Sequence, residues 1–152
     1  MHTKTQLQVE AIQNGTVIDH IPAHLGLKIA QWLDVAKTEQ RVTLGLNLPS
    51  SEGGNKDLIK IENVRLTQEQ LSQLAIVAPN ATVNDIHNYQ VVNKHILPLP
   101  SRLIGHFPCP NSNCITHVEP VKTQFHVMRG ENIKLRCCYC EKTFSKELVT
   151  TA

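Results

Sequence analysis

The chain has 152 residues, 41% of them hydrophobic and 18% charged, with a formal net charge of +2. This composition is typical of a soluble globular protein and excludes an intrinsically disordered chain. No apolar run approaches the roughly 20 residues of a membrane-spanning helix, and the polar N-terminus lacks the apolar stretch of a signal peptide. We therefore expect a cytoplasmic protein of one or two small domains with no membrane partner.

The chain begins with a predicted β-hairpin, which is followed by a predicted helix. Two strands, 6–13 and 16–21, flank the dipeptide Asn14-Gly15, a strong signal for a two-residue turn. The helix follows from a stripe of apolar residues at helical spacing, formed by Leu25, Ile29, Leu33 and Ala36.

A second strand pair and a second helix come next. Residues 41–49 alternate strictly, which predicts a half-buried strand whose inner face carries Val42, Leu44, Leu46 and Leu48. Residues 57–64 predict the returning strand. The second helix begins with a capping box of Thr67 and Gln70, and Pro79 ends it.

Segments 81–87 and 89–96 predict a third strand pair. The order of these elements favours an antiparallel sheet with two helices on one face, for which a ferredoxin-like βαββαβ domain is the nearest common form. Residues 97–108 contain three prolines and no periodicity, so they predict a linker. The sequence thus predicts an α+β chain with an N-terminal domain, 1–100, and a small C-terminal domain, 101–152.

All five cysteines lie beyond residue 100, where the chain is too short to bury a self-sufficient core. Cys109, Cys114, Cys137 and Cys140 form the pattern C-x4-C-x22-C-x2-C. Each pair can supply two bonds to one tetrahedral ion, and four sulfurs leave no position open for water. We therefore predict one structural Zn²⁺ per chain in an all-β domain.

One cysteine and two histidines near this pattern compete for the role of ligand. Cys138 is the spare thiol, because the single residue between it and Cys140 is too short a span for the usual metal-binding turn. His106 and His117 are rival ligands by sequence distance, although four cysteines already complete a tetrahedral site.

Charge is distributed unevenly along the chain. Residues 1–100 hold eight Lys or Arg and nine Asp or Glu, whereas residues 101–152 hold seven and four. The basic residues beside the cysteines are explained first as compensation for metal-bound thiolates and second as a phosphate-binding patch; they are Lys134, Arg136 and Lys142.

In the N-terminal domain, Asp19 and His20 end a predicted strand, and Lys60 and Lys94 stand alone inside two others. Each is explained most simply as a solvated residue. If the three strands are neighbours, the four residues would form a cationic pocket for phosphates, with Asp19 available to a ribose hydroxyl. No glycine-rich phosphate loop, nucleophile elbow or HExxH motif occurs, so nothing predicts catalysis.

A series of motifs runs through the chain in order: “LQVEAI”, “GTVIDHIPA”, “GLNLPS”, “KDLIKIEN”, “QLA”, “ATVN”, “CPNSNCI” and “YCEK”. With these motifs the chain resembles the regulatory chain of bacterial aspartate carbamoyltransferase along its full length. The resemblance implies a non-catalytic chain with an N-terminal allosteric domain that binds CTP and ATP, with UTP as a further candidate effector. It also implies a C-terminal zinc domain that docks on the catalytic chain, and regulatory dimers that join catalytic trimers in a larger hetero-oligomer.

The same resemblance implies a nucleotide pocket. Asp19 and Lys60 would face the ribose and base, and His20 and Lys94 the triphosphate. The base would be lined by Val9, Glu10, Ala11 and Ile12. The wall would be completed by Asn84, Ile86, Tyr89 and Val91.

The metal ligands implied by the resemblance are the same four cysteines, and Cys138 stands where a lysine is common in the family. Gln6 departs from a basic residue often found at its position, which bears on effector preference and on any second nucleotide site.

Two other classes of function are open to a chain with this cysteine pattern. A zinc-ribbon nucleic-acid-binding protein is disfavoured by the nearly cancelled charge and by the lack of aromatics interleaved with basic residues. A stand-alone enzyme would need a nucleophile and base motif, which is missing. We therefore predict a non-catalytic allosteric subunit of pyrimidine biosynthesis with no nucleic-acid partner.

Overall fold

The computed structural model describes residues 10–150. The predicted pocket residue Val9 and the first half of the predicted strand 6–13 lie outside the described residues. Contacts divide the chain into two compact units, Met1–Leu71 with Asn80–Leu97 and Ser72–Pro79 with Pro98–Ala152. Within the described residues, no helix is long and apolar enough to cross a membrane.

The first unit is built on a five-stranded antiparallel sheet. Its strands are β1 (Gly15–Pro22), β2 (Val42–Pro49), β3 (Asn55–Glu62), β4 (Thr82–His87) and β5 (Gln90–His95), and their spatial order is β2-β3-β1-β4-β5. Helix α1 (Gly26–Trp32) follows β1, and α2 (Gln68–Val77) follows β3. The residues of α2 from Ser72 onward are grouped with the second unit. The first four strands and two helices have the order and pairing of the ferredoxin-like form, which confirms that prediction, and β5 extends the sheet at the β4 edge.

The core of this unit follows from the alternation of strand side chains. Ile59, Ile18 and Val83 are directly opposite one another on three neighbouring strands, and all are fully buried. Ile29 of α1 is also buried, and α1 contacts β2 and β3. These residues occupy one face of the sheet, so the residues between them in sequence point to the other face.

Two predictions near the N-terminus are wrong in part. Residues 10–13 form no strand, so in the described residues β1 has no hairpin partner there and pairs instead with β3 and β4. Helix α1 ends at Trp32 because Asp34 has a left-handed φ of 55°. Ala36 then lies exposed in a short 3-10 turn.

The strand predicted at 41–49 is present as β2, but its apolar face is not buried as expected. A register shift between Gly45 and Leu48 interrupts the alternation. Since β2 is also an edge of the sheet, Leu44 and Leu46 are 37% and 48% exposed.

The capping box predicted at the start of α2 is confirmed. The Thr67 hydroxyl accepts a hydrogen bond from the Gln70 amide at 3.1 Å, and the Gln70 side chain accepts one from the Thr67 amide at 2.9 Å. The helix runs to Val77, two residues before Pro79.

The second unit contains a four-stranded antiparallel sheet of order β6-β7-β8-β9 and a short helix. These elements are β6 (Arg102–Ile104), β7 (Gln124–Met128), β8 (Lys134–Cys137), β9 (Thr143–Ser145) and α3 (Lys146–Thr150). Its core consists of Ile76, Leu103, Phe107, Phe125, Leu135, Val149 and the buried cysteines.

The linker predicted at 97–108 is too long. Residues 102–104 form β6, and Leu103 and Phe107 are buried in the core of the second unit. The Arg129 side chain also donates to the Leu99 carbonyl. Strand β6 was missed because it has only three residues, too few for an alternating pattern to be recognised, and because prolines are frequent in this segment.

Candidate metal centre and polar sheet face

Four cysteines lie together in the second unit. Their Sγ atoms are all within 4.8 Å of one another, and they belong to Cys109, Cys114, Cys137 and Cys140. Two turns and β8 supply them, and three of the four are buried. The structure therefore brings together the four sulfurs of the predicted pattern.

The spacing of these sulfurs fits a tetrahedral ion. The Sγ atoms of Cys109 and Cys140 are 3.7 Å apart, as are those of Cys114 and Cys137. A tetrahedron with metal–sulfur bonds of about 2.3 Å has sulfur–sulfur edges of about 3.8 Å. The cluster thus has the size that a thiolate-bound metal needs.

The neighbours of the cluster affect the thiol pKa values unequally. Burial raises the pKa of Cys109 and of Cys137. Burial also disfavours the Cys140 thiolate, but hydrogen bonds from the Asn111 side chain and the Lys142 backbone lower its pKa to about 7. Such donors stabilise the deprotonated sulfur that binds a metal.

The rival ligands lie outside this cluster. His117 Nε2 lies 2.9 Å from the Cys109 carbonyl oxygen, so the imidazole ring stabilises the turn that carries Cys109. His106 is exposed and does not belong to the four-cysteine group. Cys138 does not belong to it either, and its amide donates a hydrogen bond to the Gln124 carbonyl.

The second candidate site is the sheet face opposite Ile18, which we call the polar sheet face. Its central row crosses all five strands, and the members of the row are directly paired: Thr43, Lys60, Val17, Asn84 and Lys94. A row on one side pairs Asp19 with Thr82. The row on the other side consists of Glu62, Gly15, Ile86 and Val91.

This register gathers most of the predicted pocket residues. Asp19, Lys60, Asn84, Ile86, Val91 and Lys94 all share the polar sheet face, although they come from four strands. His20 lies in a bulge of β1 with a φ of 57°, and its Nδ1 is 3.2 Å from the hydroxyl of Thr82. The condition set by the sequence, that the three strands be neighbours, is met only in part: β3 and β1 are adjacent, whereas β4 lies between β1 and β5.

Charge on this face is mixed rather than uniformly positive. Lys56 Nζ lies 2.9 Å from an oxygen of Asp19, and both side chains are about four-fifths buried. Lys60 Nζ donates to the Glu10 carbonyl at 2.7 Å. Burial lowers the pKa of Lys60, while the charges of Asp19 and Glu10 oppose that shift.

One atom on this face has no partner. The side-chain oxygen of Asn84 is buried and accepts no hydrogen bond from residues 10–150. Buried acceptors in folded proteins are nearly always satisfied. A ligand with a donor group would supply what this atom lacks.

The remaining predicted pocket residues line a depression beside the central row. Tyr89, in the turn between β4 and β5, donates its amide to the Gln13 carbonyl and so brings that turn to the start of β1. The depression is lined by Glu10, Ala11, Ile12, Gln13, Arg41, Thr43, Glu62 and Tyr89.

Sequence reasoning missed three polar residues of this region. Lys56 could have been found, because it stands four residues before Lys60 on a strand and therefore shares its face. Arg41, whose guanidinium lies 2.8 Å from Glu10, and Thr82 gave no signal in the sequence. Only the register shows that they are near the predicted residues.

Comparison with known proteins matches both parts of the chain. Residues 7–97 match the family model described as aspartate carbamoyltransferase regulatory chain, allosteric domain, and residues 101–150 match the metal binding domain of the same chain. Relatives named aspartate carbamoyltransferase regulatory chain are 59% identical over 151 residues. Those of Vibrio parahaemolyticus and Photobacterium profundum each align with 99% of this chain, and 99% and 98% of their own lengths are covered.

The match to the metal binding domain agrees with the cysteine cluster of the second unit. The resemblance predicted from the motifs is confirmed, and so is the expectation of a non-catalytic chain. This chain belongs to the family of aspartate carbamoyltransferase regulatory chains.

Proposed function

We propose that this chain binds CTP and ATP, with UTP as a further effector, on the polar sheet face and transmits their effect to a catalytic chain. Residues 1–100 would act as the allosteric domain, and residues 101–152 as the zinc domain that contacts the catalytic chain. The observation that supports this most is the single row shared by Lys60, Asn84 and Lys94. Lysines that were only solvated would not be expected to share a row with the side-chain oxygen of Asn84, which is buried and accepts no hydrogen bond from residues 10–150.

Within that face, the polar groups divide into two ends. Lys56 and Lys94 offer positive charge for a polyphosphate, His20 offers a ring nitrogen for a hydrogen bond, and Asp19 accepts from a ribose hydroxyl. The depression between Glu10 and Tyr89 takes the base, where backbone groups near Ile12 read its edge. The apolar side chains of Ile86 and Val91 complete the wall, and the resemblance assigns Val9 to the lining of the base.

We assign the metal of the second unit as Zn²⁺, one per chain, held by Cys109, Cys114, Cys137 and Cys140. Four thiolates at tetrahedral spacing favour zinc over calcium or magnesium, which prefer oxygen ligands. All four positions are filled by sulfur, so the ion stabilises the fold and does not activate water. Thr116 contributes a hydroxyl that donates to Cys114 Sγ at 3.2 Å.

Exposed apolar side chains on two surfaces support two protein contacts, one with a second copy of the chain and one with a catalytic chain. On the β2 edge, Leu44 and Leu46 are exposed beside backbone groups that no other strand of residues 10–150 pairs with, which suits pairing with a second copy of the chain. In the second unit, exposed Ile115, Val118 and Tyr139 lie in the cysteine-bearing segments. They stand among polar residues suited to an interface that rearranges: Asn111, Asn113, Glu119, Glu141 and Lys142.

The catalytic chain of aspartate carbamoyltransferase is the partner we assign to that second surface. Dimers of this chain would then join catalytic trimers in a cytoplasmic hetero-oligomer of pyrimidine biosynthesis. No catalytic role is proposed for any residue here.

Calorimetric titration with CTP and ATP tests the nucleotide assignment. Lys60→Ala and Lys94→Ala should each weaken CTP binding by about 1.5–3 kcal/mol, since each removes a charge-assisted hydrogen bond. Lys37→Ala is the matched control, because Lys37 is 82% exposed and belongs to the 3-10 turn rather than to a strand of the sheet. Unchanged CTP affinity in both test variants would show that the two lysines are merely solvated.

A further inference from the structure

Asp57 of β3 is a buried carboxylate that neither the metal nor the nucleotide assignment uses. It is 1% exposed. Its Oδ2 accepts a hydrogen bond from the Gly26 amide, and its Oδ1 accepts one from the Asn47 amide, each at 2.8 Å. Burying a carboxyl group is costly unless its oxygens accept hydrogen bonds, and these two bonds satisfy both oxygens of Asp57.

Each of the two amides belongs to an irregular part of the chain. Gly26 begins α1, and a Cβ added there would lie 2.7 Å from the Cβ of Asp57, so any side chain at this position would displace Asp57 or the start of the helix. Asn47 lies in the β2 register shift and has a left-handed φ of 60°. One carboxylate therefore ties the start of the helix to the bulge of the edge strand.

Asp57 is also opposite the bulge of β1. It pairs with Ile21, and the register between Ile18 and Ile21 is shifted, which displaces Asp19 and His20 from regular strand geometry. A left-handed φ at a histidine is uncommon and persists only where the surroundings hold it.

The side chains at that bulge are those at the phosphate end of the polar sheet face. Lys56, the neighbour of Asp57, contacts Asp19 at 2.9 Å, and His20 reaches Thr82 at 3.2 Å. Asp57 thus lies on β3, next to the β1 bulge that carries Asp19 and His20. Its side chain is on the side of the sheet opposite Lys56.

We propose that Asp57 is the positioning residue for the phosphate end of the nucleotide site, holding the β1 bulge so that His20 and Lys56 converge on a polyphosphate. This inference rests on the proposed nucleotide function. Asp57 touches no nucleotide itself; it acts through Gly26, Asn47 and the strand pairing at Ile21.

The test compares CTP with CMP, which share the base and ribose but differ in phosphate number. Asp57→Asn keeps the size of the side chain, but its NH₂ group would face one of the two amide donors instead of accepting from it. We expect the ratio of CTP to CMP affinity to fall about tenfold, the effect of losing or misaligning about one charge-assisted hydrogen bond. CMP affinity itself should change by less than about twofold, because the base depression lies at the Gly15–Glu62 end of the β1–β3 pair, whereas Asp57 pairs with Ile21 at the other end.

Two further variants separate positioning from general destabilisation. Gly26→Ala keeps the carboxylate but displaces it, so the same fall in the ratio should appear even if Asp57→Asn fails to fold. Thr67→Ala weakens α2 without touching the β1 bulge, and it should leave the ratio unchanged.

The outcomes distinguish this inference from the proposed function. If the unaltered chain binds CTP but the ratio is unchanged in Asp57→Asn or, should that variant not fold, in Gly26→Ala, Asp57 is structural only. An equal fall in Thr67→Ala would lead to the same conclusion. If the unaltered chain binds no CTP, the nucleotide function fails and this inference fails with it.

Discussion

At the scale of single residues, neighbouring positions in the sequence have different roles because of where the backbone turns. Cys138 and Cys140 are separated by one residue, yet only Cys140 has its sulfur 3.7 Å from Cys109 in the four-cysteine group. Between them the chain turns, and the Glu141 amide donates to the Cys137 carbonyl. This turn aims Cys137 and Cys140 at one point and leaves Cys138 outside it.

That difference gives a prediction for two serine variants. Cys140→Ser should release the metal and unfold the second unit, because metal-binding energy in a domain of this size is largely folding energy. Cys138→Ser should keep a metal content near one ion per chain. Metal analysis of the purified proteins, together with circular dichroism, measures both; equal metal loss in the two variants would contradict the ligand assignment.

At the scale of secondary-structure elements, α2 was predicted well because the signals for its start and its end are local. The capping box at Thr67 and the proline at 79 bracket α2, because the bonds that start a helix are made within four residues of its first turn.

The capping box allows a quantitative test of α2. Thr67→Ala removes the hydroxyl that accepts from the Gln70 amide, and it should lower the free energy of unfolding by about 1 kcal/mol. Thr67→Ser keeps the oxygen and should cost only a small fraction of that. Urea denaturation followed by circular dichroism compares the two, and equal losses would mean that the methyl group, rather than the cap, stabilises the helix.

The features that sequence reasoning missed depend on pairing between distant strands. The bulges at His20 and Asn47 face Asp57 from opposite sides, and no local pattern in β1 or β2 announces them. Likewise, Leu44 and Leu46 alternate as a buried strand should, but their exposure follows from β2 being an edge. Strand β6 was hidden because its pairing with β7, rather than its three residues, makes it a strand.

The candidate sites divide in the same way. The metal centre was predictable because the spacing of its four cysteines is visible within two short segments of the sequence. The fold brings these two segments together. From the residues alone, a pocket on the polar sheet face could be predicted only on the condition that the strands carrying its residues lie close together in the sheet. Asp19, Lys60 and Lys94 are scattered over 75 positions, and the β3-β1-β4-β5 order is what unites them. Lys56 was missed although strand periodicity gave the means to find it.

At the scale of the whole molecule, the proposed regulation requires two sites and an element that both can bias. The proposed nucleotide site belongs to the first unit, and the cysteine cluster belongs to the second. A bound effector has an influence on a partner only if it binds one state of the assembly better than another. The chain alone is therefore expected to bind nucleotide without performing carbamoyl transfer.

Reconstitution with the catalytic subunit of aspartate carbamoyltransferase tests this arrangement. Added to that subunit, the chain should confer a nucleotide-dependent shift in the aspartate saturation curve. Removing the metal should abolish the shift by abolishing assembly, even if the metal-free chain still binds CTP, because the surface we assign to the catalytic chain is folded around the four cysteines.

Linkage adds a second requirement to the same experiment. A ligand that selects the active state of the catalytic subunit must change CTP affinity in the assembly by the factor with which CTP changes the affinity for that ligand. Equilibrium binding in both directions measures the two factors, and readdition of Zn²⁺ to the stripped chain serves as the control. If the metal-free chain still assembles and still transmits the CTP effect, the second unit does not connect the nucleotide site to the catalytic chain.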